Sequence, residues 1–440
     1  MSFHSRLSCR TLDAHPQGDA VKRILSAALE AADPANAVRA ALERNGDRLK
    51  VGNTNFDLQA LANIYIVAFG KAAPAMAGAT SEILGENLSG GIVVSKYKSD
   101  VVLDGLSLYL AGHPVPDEIS QQAGEAIRAL LSQSSENDLV LFLISGGGSA
   151  LITSPVEGVS LGDLQGLTSL LLGSGARIDE INTLRRALDQ VKGGGLARAA
   201  HPSKQVSLIL SDVVDSPLEA IASGATVPNP TRNADARDIL EKYNLLRQTP
   251  PAILNALAQD DSGTHTPTGE ILIVGSNQIS AETARDAAIR EGFDARVLTT
   301  SLQGEAAKKG RELALGLVAA EAHPRCLIVG GETTVTLGSD PGEGGRNQEL
   351  ALAAVDVLAG AKNRLFITLA SDGDDGPTDA AGAVVNGDTL NRAKAFGLDP
   401  QAHLRAHSSY PFFDQLGDLL KPGPTGTNVN DLVFLFVFAE

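Results

Sequence analysis

Cysteine, tryptophan, basic residues and long apolar runs are all in short supply. Cys9 and Cys326 are the two cysteines among 440 residues. Two cannot build a disulfide framework or a cysteine-rich zinc site, and a reduced, cytoplasmic protein is the expectation. The longest strand-like apolar runs, 139–144 and 432–439, fall far short of the ~18 residues that span a membrane. The opening segment MSFHSRLSCRTLDAHPQGDA is polar and lacks the apolar core of a signal peptide. Lys and Arg total 36 against 52 Asp and Glu, a net charge of −16. That balance argues against nucleic acid and against an anionic membrane surface as partners. A small anionic ligand stays open, because it needs only a few local cations. Aromatics are 4% of the chain, with no Trp, so stacking on bases or sugars is not its main business.

What is present is a large apolar fraction and much glycine. Hydrophobic residues make up 43% and charged residues 20%, enough to bury a sizeable core and to exclude disorder as the main state. The length suggests about three domains, or two large ones. The pattern along the chain is strand, glycine-rich turn, helix. Strands are expected at 64–69 (IYIVAF), 91–95, 106–111, 139–144 (LVLFLI), 206–210, 271–274, 327–329, 365–369 and 432–437. Their continuous apolar runs fit strands covered on both faces. Helical stretches between them predict an α/β fold with a mainly parallel sheet. The polar, aperiodic stretch 258–269 (AQDDSGTHTPTG) marks a boundary. Two α/β domains, 1–258 and 268–440, are therefore expected.

The 45 glycines cluster where strands end. Ser145, Gly146, Gly147, Gly148 and Ser149 follow LVLFLI directly. Such a loop lets backbone N–H groups approach a phosphate or carboxylate, and the helix start behind it adds partial positive charge. It is neither GxGxxG, Walker A nor a nucleophile elbow, since Leu151 stands where those need Gly or Lys-Ser/Thr. Lys71 follows Gly70 at the end of IYIVAF, where a cation can neutralise phosphate charge or hold a carboxylate. On position alone a solvated helix-start lysine is an equal reading. Asp212 and Asp215 follow the strand VSLIL. Asp212, nearer the strand, is the better candidate for a Mg²⁺ ligand or a proton acceptor; Asp215 reads as a turn former or cap.

Three further loops belong to the C-terminal half. Glu332 lies in GGETTV, and Arg346, Asn347 and Glu349 open an Ala/Leu-rich helix. Arg346 has the wrong sign for a helix N-terminus, so an anion is expected to compensate it. The acidic loop 371–382 carries Asp375, a second candidate metal ligand, although several Asp residues there fit simple turns. Asn428 sits in PTGTNVND, before the last strand. His113 is the only histidine in such a loop, and no second His stands at zinc-ligand spacing. Together these loops favour a crevice enzyme acting on a small, polyoxygenated, anionic substrate.

From Ile64 onward the chain resembles a known family. The motifs VAFGKAAPAMA, GHPVPD, LISGGGSAL, INTLRRAL…VKGGGLA, LSDVVDSPLEAIASGATVPNPT, GGETTVTL, GRNQELALA, DGDDGPTDAAGA and PTGTNVNDL are similar to those of class II glycerate kinases, the glycerate 2-kinases of the MOFRL family, and occur in family order. The resemblance implies two α/β domains, the N-terminal one a Rossmann-like three-layer parallel sheet, with an interdomain cleft. It also implies ATP-dependent phosphorylation of D-glycerate with Mg²⁺, giving 2-phosphoglycerate.

The family's catalytic positions carry over to Lys71, Asp212 and Arg346. Substrate or phosphate contacts are expected from the 145–149 loop, Glu332, Asn347, Glu349 and Asn428, and metal contacts from Asp212 and Asp375. Departures are Arg186-Ala187 where the family has Lys-His, Ala225 and Asn229 in the VPNPT motif, and Ala370-Ser371-Asp372-Gly373 in the acidic loop. The competing reading is an NAD(P)H-dependent hydroxypyruvate reductase. Against it, no GxGxxG with a ribose-binding acid follows any expected strand. The sequence does not fix the oligomeric state, and a homodimer is kept as an expectation.

Overall fold

The computed structural model describes residues 3–261, 265–267 and 269–439. Of the stretch 258–269 expected as a boundary, residues 262–264 and 268 lie outside the described residues. Two compact units divide the chain: Pro34–Val274, and Met1–Asp33 together with Gly275–Glu440.

The Pro34–Val274 unit starts with an antiparallel ribbon, β1 (Leu42–Asn45), β2 (Arg48–Val51) and β3 (Thr54–Asp57). Six strands follow: β4 (Ile64–Phe69), β5 (Gly90–Ser95), β6 (Leu106–Leu110), β7 (Leu139–Ile144), β8 (Lys204–Leu210) and β9 (Glu270–Gly275). They form one sheet in the order β6-β5-β4-β7-β8-β9. The β5–β6, β4–β5, β4–β7 and β7–β8 pairs are parallel. Every residue of β7 is buried, as its unbroken apolar run requires. Helix Glu118–Leu131 buries Ala123, Ile127 and Leu131 in the cluster that holds Val67, Phe69, Val140 and Phe142.

Register is what positions the site. Phe69 pairs with Ile144, and Ile144 with Ile209, so the loops leaving β4, β7 and β8 emerge side by side at the C-terminal edge of three adjacent strands. In parallel α/β sheets that edge is where ligands bind.

The other unit is built differently. Its strands are β10 (Asp294–Leu302), β11 (Arg325–Gly331), β12 (Arg364–Ala370), β13 (Gly382–Asn386), β14 (Leu419–Leu420) and β15 (Asp431–Val437), in the order β10-β11-β15-β12-β13-β14. Among the described residues of this unit only β10 and β11 pair in parallel; β15 lies between β11 and β12 and runs antiparallel to both. The expected parallel character therefore holds for the first sheet and not for this one. A continuous apolar run reports burial on both faces, and the fully buried β15 satisfies that in either direction.

The division also differs from 1–258 and 268–440. Strand β9 completes the first sheet, and the N-terminal helix Gly18–Ala32 packs with the last part of the chain. That helix repeats apolar residues at helical spacing, Val21, Ile24, Leu25, Ala28 and Leu29, and buries them with Ala281, Ala284 and Ala288 of helix Asn277–Arg290. Periodicity shows that the face is buried but not against which element. Among the described residues no helix is long and apolar enough to cross a membrane. Cys9 and Cys326 are both buried free thiols, and burial pushes Cys9 up to about 12.

Candidate functional site

In the Pro34–Val274 unit the glycine loop, Lys71 and Asp212 come together as the strand ends dictate. Lys71 is exposed, and its backbone N–H donates to the Gly146 carbonyl at 2.9 Å. The Ala72 N–H donates to Ser145 Oγ at 3.0 Å, so Ser145 ties the loop to the start of the helix that follows Lys71. Gly146 packs so closely on the Asp212 carboxylate that a Cβ there would overlap Asp212 Oδ2. Gly147 has φ +79°, a left-handed conformation suited to glycine. A Cβ on it would lie 3.1 Å from His113 Nε2 and 3.5 Å from Lys71 Cγ. Gly148 sits over the Phe69 ring. Ser149 Oγ is 2.7 Å from Ser223 Oγ, which in turn donates to Asn182 Oδ1 at 3.1 Å.

The loop after β8 that carries Asp212 also holds four non-glycine residues at positive φ: Asp215, Ser216, Ala222 and Ser223. Left-handed backbone at non-glycine residues costs of order 1 kcal/mol each and concentrates at functional sites. His113 also lies against the glycine loop, beside Gly147. Its pKa is lowered, first by burial and then by Lys71 and Lys96. The sequence placed it in a rigid polar loop but held no sign that the loop folds onto Gly147.

The second set lies in the other unit, at the start of helix Arg346–Leu358. Arg346 Nε donates to Asp431 Oδ2 at 2.6 Å, Nη2 to Asp431 Oδ1 at 3.3 Å, and Nη1 to Glu332 Oε1 at 2.6 Å. The anions expected to compensate Arg346 are thus the protein's own carboxylates. Burial would lower the guanidinium's pKa, but Asp431 and Glu332 more than offset it and raise it above the ordinary arginine value. Asp431 was not among the candidates: it begins a strand, where a structural role is the plainer reading.

Asp375, expected as a metal ligand, caps the start of this helix. Its Oδ1 accepts from the Asn347 N–H at 3.2 Å and from Asn347 Nδ2 at 3.4 Å, and its Oδ2 accepts from the Gln348 N–H at 2.9 Å. A carboxylate at a helix N-terminus is satisfied by those orphan donors. Burial, reinforced by Asp431, pushes Asp375 up to about 7 and Asp372 up to about 6. Glu349 is also raised by burial, and its Oε2 lies 2.9 Å from His407 Nδ1. Glu332, Arg346, Glu349, Asp375 and Asn428 line one cleft of about 390 Å³, while the buried Asn347 turns its side chain to Asp375.

Among the described residues no group of three or more His, Cys, Asp or Glu side chains is arranged to hold a metal alone. A Mg²⁺ carried by a phosphate ligand needs only one or two carboxylates, because phosphates and water complete its shell. Asp212, beside the glycine loop, is a carboxylate of the kind that requirement calls for, and Asp375 accepts from helix N–H groups at both oxygens.

Residues 325–431 match the MOFRL family, and residues 20–258 match a domain of unknown function, DUF4147. A D-glycerate 2-kinase from Thermotoga maritima is 44% identical over 85% of this chain and 90% of its own length. The chain belongs to the glycerate 2-kinase family. A glycerate 2-kinase from Pyrococcus horikoshii is 40% identical and covers 95% of this chain and 97% of its own. The family's fold is shared as well. The crystal structure of a Thermotoga maritima glycerate kinase superposes with a TM-score of 0.86 at 42% identity, covering 94% of this chain and 97% of that one. A relative from Agrobacterium vitis, 40% identical over 94% of this chain and 92% of its own, carries the provisional name hydroxypyruvate reductase.

Proposed function

We propose that this protein phosphorylates D-glycerate at its 2-hydroxyl with ATP, giving 2-phosphoglycerate and ADP. The observation that carries the reading is the convergence of Lys71, the Ser145–Ser149 loop and Asp212 at the ends of three adjacent parallel strands. In such a transfer the 2-hydroxyl oxygen bonds to the γ-phosphorus as the bond to the β-phosphate oxygen breaks, and the hydroxyl proton leaves to a base. Catalysis is then positioning plus charge neutralisation. The glycine loop offers backbone N–H groups to a phosphate or to the glycerate carboxylate. Lys71 supplies positive charge for the phosphoryl group or the carboxylate; Arg346, held by Asp431 and Glu332, is the second candidate cation. Asp212 is the residue for the proton or for Mg²⁺. When bound, Mg²⁺ supplies charge neutralisation on the phosphate oxygens. The reading places D-glycerate and ATP in the cytoplasm as the partners, with a homodimer as the expected assembly.

The reductase reading is weaker. The loop after β7 reads Ser-Gly-Gly-Gly-Ser-Ala-Leu rather than GxGxxG, so the dinucleotide fingerprint is missing. Two parallel incubations separate the readings: ATP with D-glycerate, and NADH with hydroxypyruvate. ADP formation dependent on D-glycerate is expected in the first, and no NADH oxidation in the second.

A further inference from the structure

Within residues 34–274 a cavity of about 640 Å³ shares no lining residue with Lys71, the glycine loop or Asp212. Among the described residues Arg128, Arg186, Arg198 and Arg232 line it, against two carboxylates, Asp189 and Asp261. Asp189 is already matched: its Oδ2 lies 2.5 Å from Lys192 Nζ, and it also accepts from Thr153 Oγ1 and the Ser154 N–H. Asp261 accepts from the Asn233 N–H at 2.9 Å.

The half-buried arginines are held in place by neutral oxygens. Arg186 donates to Asn229 Oδ1 at 3.0 Å, to Thr183 Oγ1 at 3.0 Å, to Thr231 Oγ1 at 3.3 Å and to the Glu219 carbonyl at 3.2 Å. Arg198 donates to the Gly193 carbonyl at 2.8 Å and to Thr266 Oγ1 at 2.9 Å. Arg128 donates to Ser154 Oγ at 3.2 Å. Amide, hydroxyl and carbonyl oxygens fix the guanidinium planes without cancelling their charge. Burial lowers the pKa of Arg198, and that of Arg186 too, where Glu219 and Asp179 offset part of it. Desolvating a cation whose counter-charge is partial or missing is costly, so an anion in the cavity would stabilise it. A positive cavity in a chain of net charge −16 is a local feature and not a consequence of composition.

Guanidinium forks match phosphate oxygens in pairs, and a cavity in the ~300–1,000 Å³ range takes a small organic molecule. Several fixed guanidiniums favour a ligand with two or more negative charges on one group. We infer that this cavity is a binding site for an organic phosphate, separate from the residues assigned to phosphoryl transfer. The inference goes beyond the kinase reading and stands on the cavity's own charge and shape.

The test is isothermal titration calorimetry without D-glycerate, so that no turnover is needed. The probes are ATP and 2-phosphoglycerate, each against the wild type, Asn229→Asp, Arg198→Ala and Lys71→Ala. Asn229→Asp keeps the oxygen that Arg186 and Thr231 use but adds a competing charge; Arg198→Ala removes a fork. At least one probe should bind the wild type and Lys71→Ala alike, and weaken about tenfold or more in both cavity variants. Weakening of ATP alone names the nucleotide as the source; weakening of 2-phosphoglycerate alone names a phosphorylated small acid. If Arg198→Ala fails to fold, Asn229→Asp decides. The inference is overturned if neither probe binds, if Lys71→Ala abolishes binding, or if the affinities in the cavity variants stay within a factor of about two of wild type.

Discussion

Gly146 and Asp212 are in van der Waals contact, so close that a Cβ on Gly146 would lie 2.6 Å from Asp212 Cγ. The glycine loop and the acid are therefore one unit: nothing larger than hydrogen fits between them. Gly146→Ala should push the Asp212 carboxylate aside. A displacement of about 1 Å at a reacting group costs on the order of 10²-fold in rate. The expected outcome is a fall of that size in kcat/KM with a native circular dichroism spectrum. Near wild-type turnover would mean that the position of Asp212 does not matter.

Lys71 and Arg346 should behave differently from each other. Lys71 is exposed. Lys71→Ala should lower kcat/KM by on the order of 10²-fold or more, as loss of an electrostatic stabiliser does, while the melting temperature barely moves. Lys71→Arg keeps the charge but changes the donor geometry, and should remain impaired. The side chain of Arg346 is 30% exposed and that of its partner Asp431 9%. Arg346→Ala should therefore cost stability as well as rate, by about 3 kcal/mol, the range seen when one half of a buried pair is removed. Urea denaturation of both variants checks this, and an unshifted midpoint for Arg346→Ala would count against the pairing.

Asp372 and Asp375 give the protein a predictable pH response. Burial chiefly, and Asp431 next, push them up to about 6 and about 7 from an ordinary 3.8. Between about pH 4 and pH 7 the folded state keeps protons that the unfolded chain has released. The stability these groups contribute is present at the acid end, falls as pH rises through that window, and stays lost above it. Asp372→Asn removes part of the fall. Its urea midpoint relative to wild type should be more favourable at pH 8 than at pH 5. An equal difference at both pH values would show that Asp372 is not a buried, raised carboxyl.

Metal removal is a separate check. With oxygen donors at the loops and no Cys or His cluster among the described residues, Mg²⁺ should be needed and zinc should not replace it. Activity should vanish in excess EDTA and return with added Mg²⁺. Full activity in EDTA would exclude Asp212 from a metal role and leave it only the proton.

Much of the first sheet was legible in the sequence. The runs 64–69 and 139–144 coincide with β4 and β7, because a strand buried on both faces must be apolar throughout and a polar loop must end it. The placement of the candidates Lys71 and the 145–149 loop at those ends was legible for the same reason. What escaped depends on chain segments far apart in sequence. Asp431 pairs with Arg346 because β15 inserts between β11 and β12, and no local pattern announces that. An acidic, glycine-rich loop suits a metal ligand or a helix cap, and the contact of Asp375 with the Asn347 and Gln348 N–H groups joins segments 27 or 28 residues apart that no local pattern links. His113 became visible once its loop was seen against Gly147.

The most direct measurement is phosphorus NMR of the products formed from ATP and D-glycerate in the presence of Mg²⁺. The kinase reading predicts the resonance of 2-phosphoglycerate growing in step with ADP, and its disappearance in Lys71→Ala. A product spectrum dominated by 3-phosphoglycerate would contradict transfer to the 2-hydroxyl. The absence of any new phosphate ester, with NADH consumed on hydroxypyruvate instead, would contradict the kinase itself.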